Sequence, residues 1–237
     1  MAALKTAPIL GIRDEVAALK RERTIQAAVE LFYERGYENT TLDAVAERLA
    51  VTKPFIYAHF TSKAELLAEI CSRGIASALE AIGSVLDLPS SPTEKLALLS
   101  KRFVTAVLQS QKHIAIFGRE EKNLAPADFQ RISRMRHDFD AKLNRLLSQG
   151  IKSGEFDIPD ARVAALAIGG MVSWAYVWYR ADGRLALPKL ADELAVLILA
   201  MAGVPREARA KVLGAPRSLS GSRRGAARAA RAPVGEA

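Results

Sequence analysis

At 237 residues, half of them apolar, the chain is long enough to build one generous core or two modest ones. A single cysteine, Cys71, excludes an internal disulfide framework and suits a reducing cytoplasm. The formal charge of +8 says less about nucleic acid than its size suggests. Residues 1–65 are close to charge-balanced and the excess collects near the C-terminus, so any pull of the N-terminal region on DNA must come from where its charges and helix ends point.

Residues 1–12 carry Pro8 and Gly11 without a lasting period and read as a flexible arm, from which Lys5 and Arg13 could touch phosphate or a minor groove. The apolar run there is too short for a signal peptide, and no later run of uncharged apolar residues is long enough for a membrane span. A first helix is expected from about Asp14 to Arg35, burying Val16, Leu19, Ile25, Ala28, Val29 and Phe32, with Gly36 as its stop.

The stretch Thr41 to Phe60 holds two short helical patterns with a few residues between them. Leu42, Val45, Ala46 and Leu49 mark one apolar face, and Thr40 stands three residues before Asp43 at capping-box spacing. Thr52 can cap the second helix, whose first turn holds Lys53 and Pro54; proline is tolerated there because its missing N–H has no intrahelical partner. Ile56 points inward, which leaves Lys53, Phe55, Tyr57 and His59 mostly outward. Ser62 and Glu65 repeat the capping-box spacing before the next helix. Two short helices at a tight turn, with basic and aromatic residues outward on the second, form a helix-turn-helix suited to a DNA major groove.

A long helix follows from Lys63 to about Val85 with Leu66, Leu67, Ile70, Ala78 and Ile82 on its apolar side and Cys71 as a buried, inert thiol. After the break DLPSSP come helices at Thr93 to Gln111 and at His113 to Glu121. Phe129 to Gln149 follows, with Ile132, Met135, Arg136, Phe139, Leu143 and Leu146 spaced for burial. Asp160 to Tyr179 and Lys189 to Met201 are the last two helices, and Gly203-Val204-Pro205 stops the second. The expectation is an all-α chain of about nine helices: a DNA-binding head at 13–66 and a larger bundle at 67–204. Residues 205–237 show no apolar stripe and are expected to form a basic, disordered tail, or else an arm that meets DNA without sequence preference.

Ile25, Ala28, Leu31 and Phe32, with Gly36-Tyr37, Thr40-Thr41, Val45-Ala46, Val51-Thr52, Tyr57, Phe60, Ser62-Lys63 and Glu65-Leu66, stand at offsets that resemble the head of the TetR family of transcriptional regulators. The resemblance covers about residues 20–67 and is specific as a set. It implies an all-helical homodimer that binds a palindromic double-stranded operator, most often as a repressor released by a small-molecule effector. An activator of the same fold, or a constitutive DNA-binding dimer, are the alternatives. The resemblance assigns base contacts or close approach to Lys53, Pro54, Phe55 and Tyr57, and phosphate contacts to Thr41, Thr52, Tyr57, His59 and Lys63. On physical grounds Lys53 can donate to guanine and Phe55 can pack a thymine methyl, while Phe60 suits the core. One departure stands in the turn, where the family commonly carries Ala-Gly and this chain reads Leu49-Ala50. If the backbone needs a positive φ there, the alanine stores roughly 1–2 kcal/mol.

Gly170, Trp174 and Trp178 on an alanine-rich helix, with Leu190, Leu194, Leu197 and Ile198 on the next, look like half of a dimer interface, since small residues allow close approach and aromatics favour interfaces. An intrachain core is the alternative. Phe103, Val107, Ile116, Phe117, Met135, Phe139 and Trp174 are candidate walls of an effector pocket, with Arg119, Glu120 and Arg136 as polar contacts. A faint likeness to family members that respond to acyl-coenzyme A suggests an apolar or amphipathic effector with an anionic end. His59, His113 and His137 stand in no metal-spaced motif and near no nucleophile pattern, and no glycine-rich phosphate loop follows a strand, so neither an enzyme nor a cofactor is expected.

Overall fold

The structure, a computed structural model that describes residues 11–214, contains ten α-helices and, among those residues, no strand. They are α1 (Ile12–Arg35), α2 (Leu42–Arg48), α3 (Lys53–Tyr57), α4 (Lys63–Leu86), α5 (Pro92–Gln109), α6 (Gln111–Glu120), α7 (Pro126–Lys152), α8 (Ala161–Trp178), α9 (Leu187–Met201) and α10 (Arg206–Leu213). A 3-10 turn, Glu121–Asn123, joins α6 to the loop before α7. Nine of these answer the nine expected. The tenth corrects the expectation of a tail without structure from residue 205: Ala208, Val212 and Leu213 pack on the core beside α9 and α5. Three small-to-medium apolar residues at 208, 212 and 213 share one helix face, a stripe too short to stand out in an arginine-rich sequence. The arm at 1–10 and the remainder of the tail at 215–237 lie outside the described residues.

Helix ends correct several sequence assignments. Thr41, not Thr40, caps α2, accepting from the Ala44 amide at 3.1 Å. Thr40 is buried, and its hydroxyl donates to the Gly36 carbonyl at 2.9 Å. Thr52 precedes α3 without a side-chain cap. Ser62 caps α4, but Glu65 reaches Thr61 instead of closing the box on Ser62. The full capping box belongs to Ser91 and Glu94 at the start of α5. Val16 and Leu19 are exposed, because the first turns of α1 project beyond the bundle and the helix is buried only from Thr24 onward.

The turn between α2 and α3 is a Schellman closure. The Ala50 amide donates to Glu47 O and the Val51 amide to Ala46 O, both at 3.0 Å, which requires a left-handed residue at position 50. Ala50 has φ +54°, the one non-glycine positive φ among the described residues. The same closure ends α9, and there the left-handed position is Gly203 at φ +71°.

Two apolar cores result. The first joins α1, α2, α3 and the start of α4 around Phe32, Val45, Ile56, Phe60 and Leu66, and takes in Ile116 of α6, Leu124, and Ile132 of α7. The second lies among the rest of α4 and α5, α7, α8 and α9. The head therefore shares its core with the larger body. An ionic lattice reinforces the joint: Arg73 of α4 bonds Glu22 of α1 at 2.7 Å and Glu69 at 3.2 Å, and Arg21 bonds Glu69 at 3.1 Å. The Arg21 hydrogen bond leads in holding the half-buried Glu69 carboxyl below its ordinary pKa. Of the described helices α8 alone has the length and composition of a membrane span, yet Ala165, Ile168, Val172 and Ala175 bury one face of it in the second core.

Candidate nucleic-acid interface and effector cavity

Proline at the second position of α3 and the Schellman turn before it fix where this short helix starts and how it leaves α2. Ile56 anchors it, wholly buried against the head core. Thr41, Thr52, Lys53 and Pro54 are exposed, and Tyr57 is 53% exposed, so all five are open to solvent. Lys53 is held by Asp43 of α2, with Nζ 2.5 Å from the carboxylate, and that hydrogen bond leads in raising its pKa. An exposed pair of this kind is worth little in stability and yields readily to a phosphate or base.

Three assigned contacts are less free than their spacing suggests. Phe55 is half-buried against the head core, with the Lys20 ammonium 5.6 Å from its ring, so it offers only an edge. His59, also half-buried, packs edge-on against Phe55 at 5.6 Å. Lys63 donates to the Tyr37 carbonyl at 2.9 Å and lies 4.1 Å from the Tyr37 ring, where it braces the turn after α1.

In the larger body a cavity of about 340 Å³ opens between α4, α5, α6, α7 and α8. Of the ten candidate effector contacts, Phe103, Val107, Phe117, Arg136 and Phe139 line it. Phe103 and Phe139 stack at 4.5 Å, and the Arg136 guanidinium lies 5.4 Å from the Phe117 ring. Asp140, one turn beyond Arg136, adds a carboxylate to the lining.

Five other candidates lie elsewhere. Ile116 is wholly buried in the head core. Arg119 donates to the Phe32 and Tyr33 carbonyls, each at 3.2 Å, and so caps the end of α1. Glu120 is buried and accepts from the Tyr37 amide at 3.3 Å and from Asn123 at 2.9 Å. Met135 is half-buried outside the lining, and Trp174 is 62% exposed on the free side of α8. Helix α6 thus has two working faces: Ile114 and Phe117 face the cavity, while Ile116, Arg119 and Glu120 hold the head.

Sequence reasoning missed the α4 wall, formed by Cys71, Gly74, Ile75 and Ala78. The signal was present: a stripe at helical spacing filled mostly by small residues leaves space where large ones would close it. Gly74 also lets α6 approach, because a Cβ there would come within 2.9 Å of Ile114. Burial pushes the Cys71 thiol up to about 12, so it is inert as a nucleophile near neutral pH.

The interface assignments divide. Trp178 and Leu197 are 49% and 51% exposed, and Gly170 faces open space. Leu190, Leu194 and Ile198 are instead buried within the protomer, because α9 lays that face along α5. They form core and cannot meet a partner.

Residues 25–70 match a family model described as bacterial regulatory proteins, tetR family, and residues 89–202 match one for the tetracyclin repressor-like C-terminal domain. The HTH-type transcriptional repressor KstR2 of Rhodococcus jostii is 27% identical over 76% of this chain and 89% of its own length. A solved regulator of the TetR/AcrR family from Thermobifida fusca is similar at a TM-score of 0.62 and 30% identity, over 76% of this chain and 96% of that one. AibR, solved with isovaleryl coenzyme A and operator DNA, is similar at a TM-score of 0.65 and 27% identity, over 75% of this chain and 97% of that one.

Proposed function

We propose that this chain, which belongs to the TetR family of transcriptional regulators, is a repressor that leaves its operator when a small amphipathic molecule occupies the cavity among α4 to α8. It is a DNA-binding regulator and not an enzyme. Regulators of this family dimerise on operator DNA and answer small-molecule effectors. The supporting observation is that two helices each touch both sites. Helix α4 carries Leu66, Leu67 and Ile70 in the head core and Cys71, Gly74 and Ala78 on the cavity wall. Helix α6 lines the cavity with one face and bonds the end of α1 with the other. An occupant that separates α4 from α6 must therefore move the head.

On the DNA side, Thr41, Thr52, Lys53, Pro54 and Tyr57 are the contacts, with Lys53 reading a base edge and the threonines and Tyr57 setting register on the backbone. Phe55, His59 and Lys63 chiefly hold the reading helix in place. One five-residue helix reads few bases, so two copies on a palindrome supply the rest.

On the effector side, the apolar walls supply affinity by burial and Arg136 orients an anionic or strongly polar end. An acyl-coenzyme A fits this pattern if its acyl group enters and its nucleotide stays outside, and AibR, similar in fold, was solved with such a molecule. The effector must prefer the DNA-incompetent conformation, since equal binding to both shifts nothing. Operator fragments selected from genomic DNA by the purified protein, then titrated with isovaleryl-, octanoyl- and palmitoyl-coenzyme A and with free coenzyme A, test the reading. Release by one acyl thioester and not by free coenzyme A is expected; selection of no palindrome would overturn the DNA assignment, and release by none of the thioesters the effector class.

A further inference from the structure

The cavity wall carries two opposite charges that do not neutralise each other. Arg136 and Asp140 both line it from α7, one turn apart, which sets their Cβ atoms about 5–6 Å from each other. The Arg136 guanidinium stands 5.4 Å from the Phe117 ring and forms no ion pair with Asp140. The other carboxylates of α7 are engaged, Asp128 by Arg131 at 3.2 Å and Asp138 by Lys142 at 2.7 Å. Asp140 has neither a salt bridge nor a hydrogen bond among the described residues. Its Oδ1 lies beside Gly169 of α8, where an added Cβ would stand 4.0 Å away, so α8 lays no side chain over it at that point. Phe103, Val107, Ile132 and Phe139 keep the surrounding lining apolar. A purely apolar occupant would strip water from the Asp140 carboxylate and return nothing, and a charge enclosed without a partner is costly. A cationic donor would meet the Arg136 guanidinium a turn away, whereas a neutral hydroxyl satisfies the carboxylate without that repulsion.

We propose that Asp140 makes this cavity selective for a hydroxylated acyl chain, whose hydroxyl donates to the Asp140 carboxylate while its carbonyl or anionic end accepts from Arg136. The inference rests on the effector reading above and narrows it. Arg136 is exposed and Asp140 half-buried, so the acceptor end lies nearer the mouth and the hydroxyl further in. A site that holds a polar partner for a hydroxyl rejects the analogue lacking it far more strongly than an apolar pocket rejects a missing methylene. Chain length is then read weakly by the apolar walls, and the hydroxyl strongly by one side chain.

Isothermal titration calorimetry of the full chain with 3-hydroxyoctanoyl-coenzyme A, octanoyl-coenzyme A and the two corresponding free acids tests this. The wild-type chain should bind the hydroxylated member of a pair about tenfold or more tightly than the plain one. Asp140→Leu, close in volume, should abolish or reverse that preference by binding the plain chain better. Asp140→Asn keeps the shape without the charge and should lower the preference several-fold, which decides the matter if the leucine variant does not fold by circular dichroism. Where the thioesters fail to bind, the free acids still report the selectivity, since Arg136 can take their carboxylate. Equal binding of hydroxylated and plain members by the wild type would overturn the inference while the effector reading stands. An undiminished preference in the folded variants would pass the hydroxyl to Ser173, the neutral hydroxyl of the lining, and overturn the role of Asp140. If none of the four ligands binds, the effector reading falls and this inference with it.

Discussion

Replacing Ala50 by glycine should stabilise the protein. The Schellman closure of α2 demands a left-handed backbone at this position, and Ala50 supplies it at φ +54°. An L-residue with a Cβ stores roughly 1–2 kcal/mol there, while glycine makes the unfolded chain freer by about 0.5–1 kcal/mol. The methyl is exposed, so its removal forfeits little packing. The difference leaves a net gain of about 0.5–1 kcal/mol, which corresponds to an increase in Tm of roughly 1–4 °C for a chain of this size. Urea unfolding followed by tryptophan fluorescence and by circular dichroism should show a higher midpoint with an unchanged slope. Ala50→Val is the opposing control, because a β-branched residue is still less tolerant of positive φ. Both closing hydrogen bonds come from the backbone, so operator affinity in Ala50→Gly should change by less than about twofold. A clear loss of stability in Ala50→Gly, or a neutral Ala50→Val, would show that the turn is not left-handed at this residue.

Four other outcomes are expected. Lys53→Ala and Tyr57→Ala should each weaken operator binding by about 1–3 kcal/mol in titrations at matched salt, with unchanged circular dichroism. Glu120→Ala should destabilise by about 1–3 kcal/mol in urea, because it strands the Tyr37 amide and Asn123 at the joint between body and head. Gly150→Ala should destabilise by about 1–3 kcal/mol or more, since the added Cβ would stand 2.0 Å from the Phe156 ring, read as a lower urea midpoint. Burial, with Arg73 nearby, lowers the His113 pKa from 6.5 although Glu22 opposes the shift. The unfolded chain therefore takes its proton first as pH falls, and stability drops below about pH 6.5. His113→Leu should lose less of its urea midpoint than wild type between pH 7.5 and 5.5.

Helix positions were legible because apolar spacing and breakers agree along most of the chain: Gly36, the DLPSSP break and Gly203 each stop a helix where the pattern fades. In the turn of the helix-turn-helix the sequence singled out Ala50 but left its φ open, and the backbone closure decides it as positive. The cavity was half legible. Phe103, Val107, Phe117 and Phe139 face it, but α6 buries two faces at once, and periodicity alone does not say which of Ile114, Ile116, Phe117, Arg119 and Glu120 meets which neighbour. The same limit applies to α9. Leu190, Leu194 and Ile198 make an apolar stripe that suits either a partner or α5, and only the packing of the protomer shows that α5 takes it.

The shared core has a consequence for protein engineering. Ile116, Leu124 and Ile132 fill a socket under α1 and α4, and Arg119 and Glu120 tie off the end of α1 from outside the head. A chimera that grafts residues 11–62 onto another regulator's body would bring the reading helix and leave its foundation behind. The recipient would have to supply matching side chains at five positions on α6, α7 and the segment between them. Altering operator preference by substitution within α3 keeps that foundation intact, whereas exchange of the whole head as a cassette requires α6, the following segment and the start of α7 to travel with it.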